Sequence, residues 1–212
     1  MRENAHDLNP LPPGLPARLP KGEEILWQGK PDWWRLSLEA FGVKWIAVWV
    51  LLAFLWRMVL LTESQSWGLA AFGASPILVL GIFGMGLFAL MGYAQARGAH
   101  YTITNKRVVM KVGAALSITL NIPFQHIESA GLSAKRNGTG TIALQTKRDQ
   151  LRLSYLMLWP HVRPWHLRVA EPCLRCIPDA ARVAAILAEA AETDLARPRV
   201  SSDVHVQPVA AE

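Results

Sequence analysis

Cys173 and Cys176 enclose two residues, the spacing used by zinc-binding thiolates and by dithiol redox couples, and His161 and His166 are the nearest co-ligands. The set is incomplete for either chemistry. No second CxxC occurs, Pro172 and Pro178 bracket the pair, and no βαβ pattern places it at a strand-to-helix junction. Two reduced, partly buried thiols and no bound metal are expected. His100 and His126 lie in or beside strand-like segments without the Ser, Asp or Glu arrangement of a triad. A phosphate-cradling GxxxxGK[ST] loop and a recognisable carboxylate pair are also missing, so the expectation is a protein without catalytic residues, not an enzyme.

Recognition chemistry is better represented. Trp159, His161, Arg163, Trp165 and Arg168 place aromatic and cationic groups on a segment stiffened by Pro160 and Pro164. Trp and Arg bind strongly per residue, and proline lowers the cost of ordering, so these five are the candidate partner-binding residues. The competing expectation is that the tryptophans pack on the domain's core or on a bilayer surface.

Such a segment must be positioned by the rest of the chain, whose apolar residues are unevenly distributed. The run from Trp45 to Leu61 is apolar and broken only by Arg57; counted from Val43 it is ~28 Å long as a helix, close to the hydrocarbon thickness of a bilayer. Residues 69–93 carry no formal charge and would span ~37 Å, enough to cross with tilt. Two transmembrane helices joined as a hairpin are therefore expected. The link from Thr62 to Gly68 holds Glu63 and no basic residue, whereas Lys30, Arg35 and Lys44 precede the pair and Arg97, Lys106 and Arg107 follow it. By the positive-inside rule both termini are cytoplasmic. Trp33, Trp34 and Trp45 should mark one interface, and Trp56 and Trp67 the other.

At 100° per residue, Gly73, Gly81, Gly84 and Gly92 share an arc of about 100° on the second helix, and Trp45, Trp49 and Trp56 an arc of about 40° on the first. Small residues admit close backbones in lipid, and large rings fill grooves. These seven residues are the expected transmembrane packing face. The simpler expectation has the two faces packing on each other inside the hairpin; the other has one of them receiving a foreign helix or a pigment.

The flanks differ from the hairpin. Residues 1–20 are polar, proline-rich and expected to be disordered, without the pattern of a cleavable leader; 193–212 are expected to be a disordered tail. Residues 21–42 should contribute a strand, Glu24 to Gln28, to the domain that follows. Across 98–192 the period changes to two, with strands expected at Tyr101–Thr104, Val108–Val112, Ser117–Ile122, Thr141–Thr146 and Leu151–Tyr155. Asp179 to Ala191 has a helical stripe of Val183, Ile186, Leu187 and Ala190. The fold class is α+β: a transmembrane hairpin plus a small antiparallel β-domain, a partly open barrel plugged by its C-terminal helix. The net charge of +6 lies after the hairpin, fifteen basic against nine acidic residues from Ala94 onward, which suits anionic lipid or an acidic protein patch. No basic helix, finger spacing or aromatic RNA-binding strand points to nucleic acid. Two cysteines in 212 residues favour a reducing compartment.

Tyr101-Thr-Ile-Thr-Asn-Lys-Arg-Val-Val109, Ile122-Pro-Phe-Gln-His-Ile127 and Gly138-Thr-Gly-Thr-Ile-Ala-Leu144, with Gly22-Glu-Glu-Ile-Leu-Trp27 before the hairpin, resemble the bacterial pleckstrin-homology (PH) domain. Leu158-Trp-Pro-His-Val-Arg-Pro-Trp165 and Glu171-Pro-Cys-Leu-Arg-Cys-Ile-Pro-Asp179 are similar to the photosynthetic complex assembly proteins of purple phototrophic bacteria. That resemblance, over about Leu19 to Glu192, implies a non-enzymatic assembly factor in the bacterial inner, intracytoplasmic membrane. Its implied partners are reaction-centre subunits, core light-harvesting antenna polypeptides and membrane lipid, with a homodimer through the glycine face also open. No resident cofactor is implied; transient bacteriochlorophyll contact stays open, although neither apolar run contains a histidine to ligate its magnesium. The alternative is a lipid-binding PH-like module of general envelope function, with Lys106, Arg107 and Lys111 as its basic loop.

Overall fold

A computed structural model describes residues 12, 14–15, 17–114, 116–135, 138–147, 154–164, 166 and 170–196. The chain alternates between sheet and membrane-type helix in an order that splits the first sheet. Strand β1 (Ile25–Gly29) is followed by α1 (Trp33–Ala40), α2 (Val43–Thr62) and α3 (Trp67–Gly98), and only then by β2 (His100–Thr104). Yet β1 and β2 pair antiparallel, with Ile25 opposite Thr104 and Gly29 opposite Tyr101. After α3 the chain has therefore returned to the side it left after β1.

Helices α2 and α3 have 20 and 32 residues, ~30 and ~48 Å at 1.5 Å per residue, and both are long and apolar enough to cross a bilayer. α1 starts at Asp32, whose side chain accepts a hydrogen bond from the Arg35 N–H (2.8 Å). It ends at Ala40, and Gly42, with a φ of 65°, turns the chain into α2 at no steric cost.

The domain comprises two antiparallel sheets. The first has the order β1-β2-β3-β4, with β3 at Arg107–Val112 and β4 at Ile118–Pro123; the second has β5 (Ile127–Ala134), β6 (Thr139–Thr146) and β7 (Cys173–Pro178). A short α4 (Tyr155–Leu158) follows β6, and α5 (Ala180–Ala196) ends the described chain. Alternation places Ile142 and Leu144 of β6 inward, where they join Tyr101, Ile103, Met110 and Ile122 of the first sheet. Val183, Leu187 and Ala190 of α5 close this core, which is the architecture expected.

Several details differ from expectation. Two sheets replace one, because β5 and β7 are strands that the period-two pattern did not mark. Tyr155 opens a helix instead of ending a strand, and residues 151–153 of that expected strand lie outside the described residues. Thr193–Ala196 continue α5, not a disordered tail; the remaining tail and residues 1–11 lie outside the described residues.

The turn between β2 and β3 clasps the segment before β1. Glu23 accepts hydrogen bonds from Arg107 Nε (2.7 Å) and Nη2 (2.8 Å) and from Thr104 Oγ1 (2.8 Å), while Asn105 Oδ1 accepts from the Glu24 N–H (3.2 Å). Two stretches that flank the hairpin in sequence are thus bonded to each other.

Candidate functional site

The candidate binding segment leaves α4 at Trp159, through a cis peptide bond to Pro160. Trp159 meets Phe41, at the α1–α2 junction, edge-on with ring centroids 4.9 Å apart, so its indole joins the domain to the base of the hairpin. His161 is fully buried and cannot touch a partner in this conformation, which corrects its assignment as a surface anchor. The reason is local: its N–H donates to Leu158 O (2.7 Å) and its carbonyl accepts from the Cys173 N–H (2.9 Å), which draws the ring beneath β7. Arg163 is exposed and pairs with Glu171 (2.9 Å). Trp165 and Arg168 lie outside the described residues. Trp159 and Arg163 therefore hold exposed or half-buried positions, and His161 belongs to the interior.

Inside, His161 Nδ1 stands 2.6 Å from the Tyr101 hydroxyl, which also accepts the Arg175 N–H (3.4 Å). The donor in the Tyr101–His161 bond is set by the imidazole tautomer, and Nε2 is buried without a hydrogen-bond partner among the described residues. Burial, reinforced by the Arg175 charge, lowers the His161 pKa to about 3, and burial raises that of Tyr101, so both groups are neutral near pH 7. Arg175 Nη1 donates to Pro160 O (2.9 Å).

Both thiols are free and buried, and burial pushes each pKa up to about 12. Protonated thiols are poor ligands and poor nucleophiles. Among the described residues no three His, Cys, Asp or Glu side chains converge on a metal-sized site, and His166 stands at the surface with Nδ1 3.0 Å from Pro164 O.

The hairpin gives the larger correction. Its seam is small residues on α3 against branched ones on α2: a Cβ on Gly81 would collide with Val50, one on Gly73 would reach Leu61 at 3.0 Å, and one on Gly92 would strike Ser37 of α1. Gly84 faces open space. Trp45, Trp49 and Trp56 are 62, 69 and 70% exposed and turn away from the seam. They lie about 140° around α2 from Val50 and Leu61, which is why the glycine groove receives those aliphatic side chains and no indole. The tryptophans form an outward ridge. At the base, Trp33 packs edge-on against Tyr93 (5.7 Å).

The basic loop of the lipid-binding alternative is partly neutralised, since Arg107 is held by the buried Glu23 carboxylate. Sequence reasoning passed over Arg175, Lys135 and Glu39. The available signal was Arg175 itself, a cation inside the otherwise apolar strand β7.

The sequence matches the bacterial PH domain family over residues 38–191. The chain belongs to that family. The match begins near the end of α1, so this bacterial PH domain has the hairpin within the matched span and β1 before it. An uncharacterized 23.7 kDa protein of Rhodobacter capsulatus, described by the puhA 5′ region in which it is encoded, is 48% identical over 202 residues and 94% of each chain. No solved structure matches this bacterial PH domain.

Proposed function

We propose that this protein is a non-enzymatic, membrane-anchored assembly factor for the photosynthetic reaction centre and its core light-harvesting antenna. The observation that carries the reading is the 48% identical relative, whose puhA location links it to a photosynthesis gene. The hairpin spans the inner, intracytoplasmic membrane, and both termini and the PH domain are cytoplasmic, in keeping with the basic flanks and the Glu63 loop.

The geometry supplies a contact surface for this role. The outward ridge of Trp45, Trp49 and Trp56 rises ~16 Å along α2, and Gly84 and Gly86 leave open space on two opposite faces of α3. Lipid offers little driving force between helices, so shape decides association, and rings beside small residues fit the helices of incoming reaction-centre or antenna polypeptides. Through Trp159 and Phe41 the PH domain is seated against the same hairpin, with Arg163 exposed for cytoplasmic segments of those subunits.

Deleting the gene should lower accumulated reaction centre while leaving pigment synthesis and photosynthetic transcripts unchanged. Affinity-tagged protein from phototrophic membranes should co-purify reaction-centre or antenna subunits. Normal reaction-centre levels in the deletion strain would contradict the proposal.

A further inference from the structure

A cleft of about 410 Å³ opens where β5, β6 and β7 meet the end of α1. Lys135, Arg163 and Arg175 line it, with Cys173, Thr141 and Glu39. The two outer cations are exposed and already engaged, Lys135 with Glu39 and Arg163 with Glu171. In each pair the cation is 44% exposed while its carboxylate is only 20% (Glu39) or 11% (Glu171) exposed, so the cations stand at the rim of the cleft with their carboxylates behind them. Arg175 is different: only 8% exposed, it has the Pro160 carbonyl at 2.9 Å and, although Glu39 lines the same cleft, no carboxylate within ion-pair distance among the described residues. A guanidinium removed from water without a directly paired carboxylate is costly, and the cleft beside it is where an anion can reach it.

Location and size narrow the ligand. Glu39 precedes the start of α2 by four residues, so the cleft lies at the level where the hairpin enters the bilayer. Its volume is more than ten times the ~30 Å³ that a water occupies, which leaves room for a phosphodiester and its glycerol. Guanidinium forks match phosphate oxygens, and an ammonium adds a point charge. The geometry points to a binding site for the phosphate of an anionic phospholipid headgroup, held by Arg175 and Arg163 with Lys135 at the rim. The site rests on the membrane-spanning reading above, and it fixes how the domain sits on the bilayer without adding much to anchorage that two helices already provide.

The test uses the full chain in phosphatidylcholine nanodiscs, titrated with phosphatidylglycerol and followed by native mass spectrometry of retained lipid. One phosphatidylglycerol should be retained selectively, and Arg163→Gln and Lys135→Gln should each weaken retention about fivefold. Arg97→Gln removes a charge at the same membrane boundary outside the cleft and should leave retention unchanged. Arg175→Lys keeps the charge but loses the fork, and should weaken retention if it folds; the two exposed variants decide the matter if it does not. Equal retention of both lipids, or equal losses in all the charge variants including Arg97→Gln, overturns the site. Displacement by millimolar inorganic phosphate reassigns the cleft to a soluble phosphate ester, and tighter binding of hexaglutamate reassigns it to an acidic segment; either overturns the lipid. Failure to enter nanodiscs overturns the membrane reading as well, whereas insertion without lipid selectivity overturns this site alone.

Discussion

Acidification should destabilise the domain through His161, and the size of the effect can be worked out. In the folded chain its pKa is about 3, against about 6.5 when unfolded. The folded state thus binds fewer protons between these values, so stability rises with pH across that window. The contribution is complete above pH 6.5 and is lost as pH falls toward 3, at ~1.4 kcal/mol per unit. Between pH 7.5 and 5.0 the wild type should lose about 2 kcal/mol from this source. His100, whose pKa burial and Lys30 also lower, contributes with the same sign, so a subtraction is needed. His161→Asn retains a hydrogen-bonding group for the Tyr101 hydroxyl and removes the titration. Urea unfolding of both proteins in neutral detergent, followed by tryptophan fluorescence at pH 7.5, 6.5, 5.5 and 5.0, gives the difference. Parallel losses in wild type and His161→Asn would refute the reasoning, and with it the neutral Tyr101–His161 pair.

Gly81→Leu should destabilise the hairpin by about 1–3 kcal/mol through collision with Val50, whereas Gly84→Leu should be nearly neutral, as checked by thermal unfolding in detergent. Glu23→Ala leaves Arg107 without its buried partner and should cost about 3 kcal/mol, at the low end for such pairs because Arg107 is a quarter exposed; chemical denaturation measures it. With thiol pKa values of about 12, Cys173 and Cys176 should react with maleimide at pH 8 at least a hundredfold more slowly in the native than in the urea-unfolded chain. Replacing Trp49 and Trp56 with Leu should leave the protein in the membrane fraction while reducing co-purification of photosynthetic subunits, measured by quantitative immunoblot.

The hairpin was legible because uninterrupted apolar runs have few other physical solutions, and β2, β3 and β6 because their alternation is regular. β5 was hidden by Ser129, Gly131 and Ser133, which weaken the apolar face of a strand that is exposed along most of its length. β7 was hidden for the opposite reason: Cys173 to Ile177 are all buried, so no alternation marks them, and the flanking prolines suggest a loop. At the site, helical phase correctly grouped Trp45, Trp49 and Trp56 but could not say which way the group faces. That depends on where the aliphatic stripe of Val50 and Leu61 falls, and a helix apolar all round has almost no moment to reveal it. The burial of His161 depends on contacts with Tyr101 and Cys173 distant in sequence, which spacing along one segment does not disclose.

The pairing of β1 with β2 has a consequence for biosynthesis. At roughly 5–20 residues per second, the ribosome makes the about 70 residues between these strands in about 4 to 14 seconds. If the hairpin spans the bilayer as proposed above, β1 waits for that interval as an unpaired nascent strand while the two helices insert. A chain in which only one helix has crossed leaves the two strands on opposite faces, where no amount of waiting can join them. On that reading half-inserted molecules keep an open sheet within reach of proteases, and completion of the domain requires that both helices have gone in.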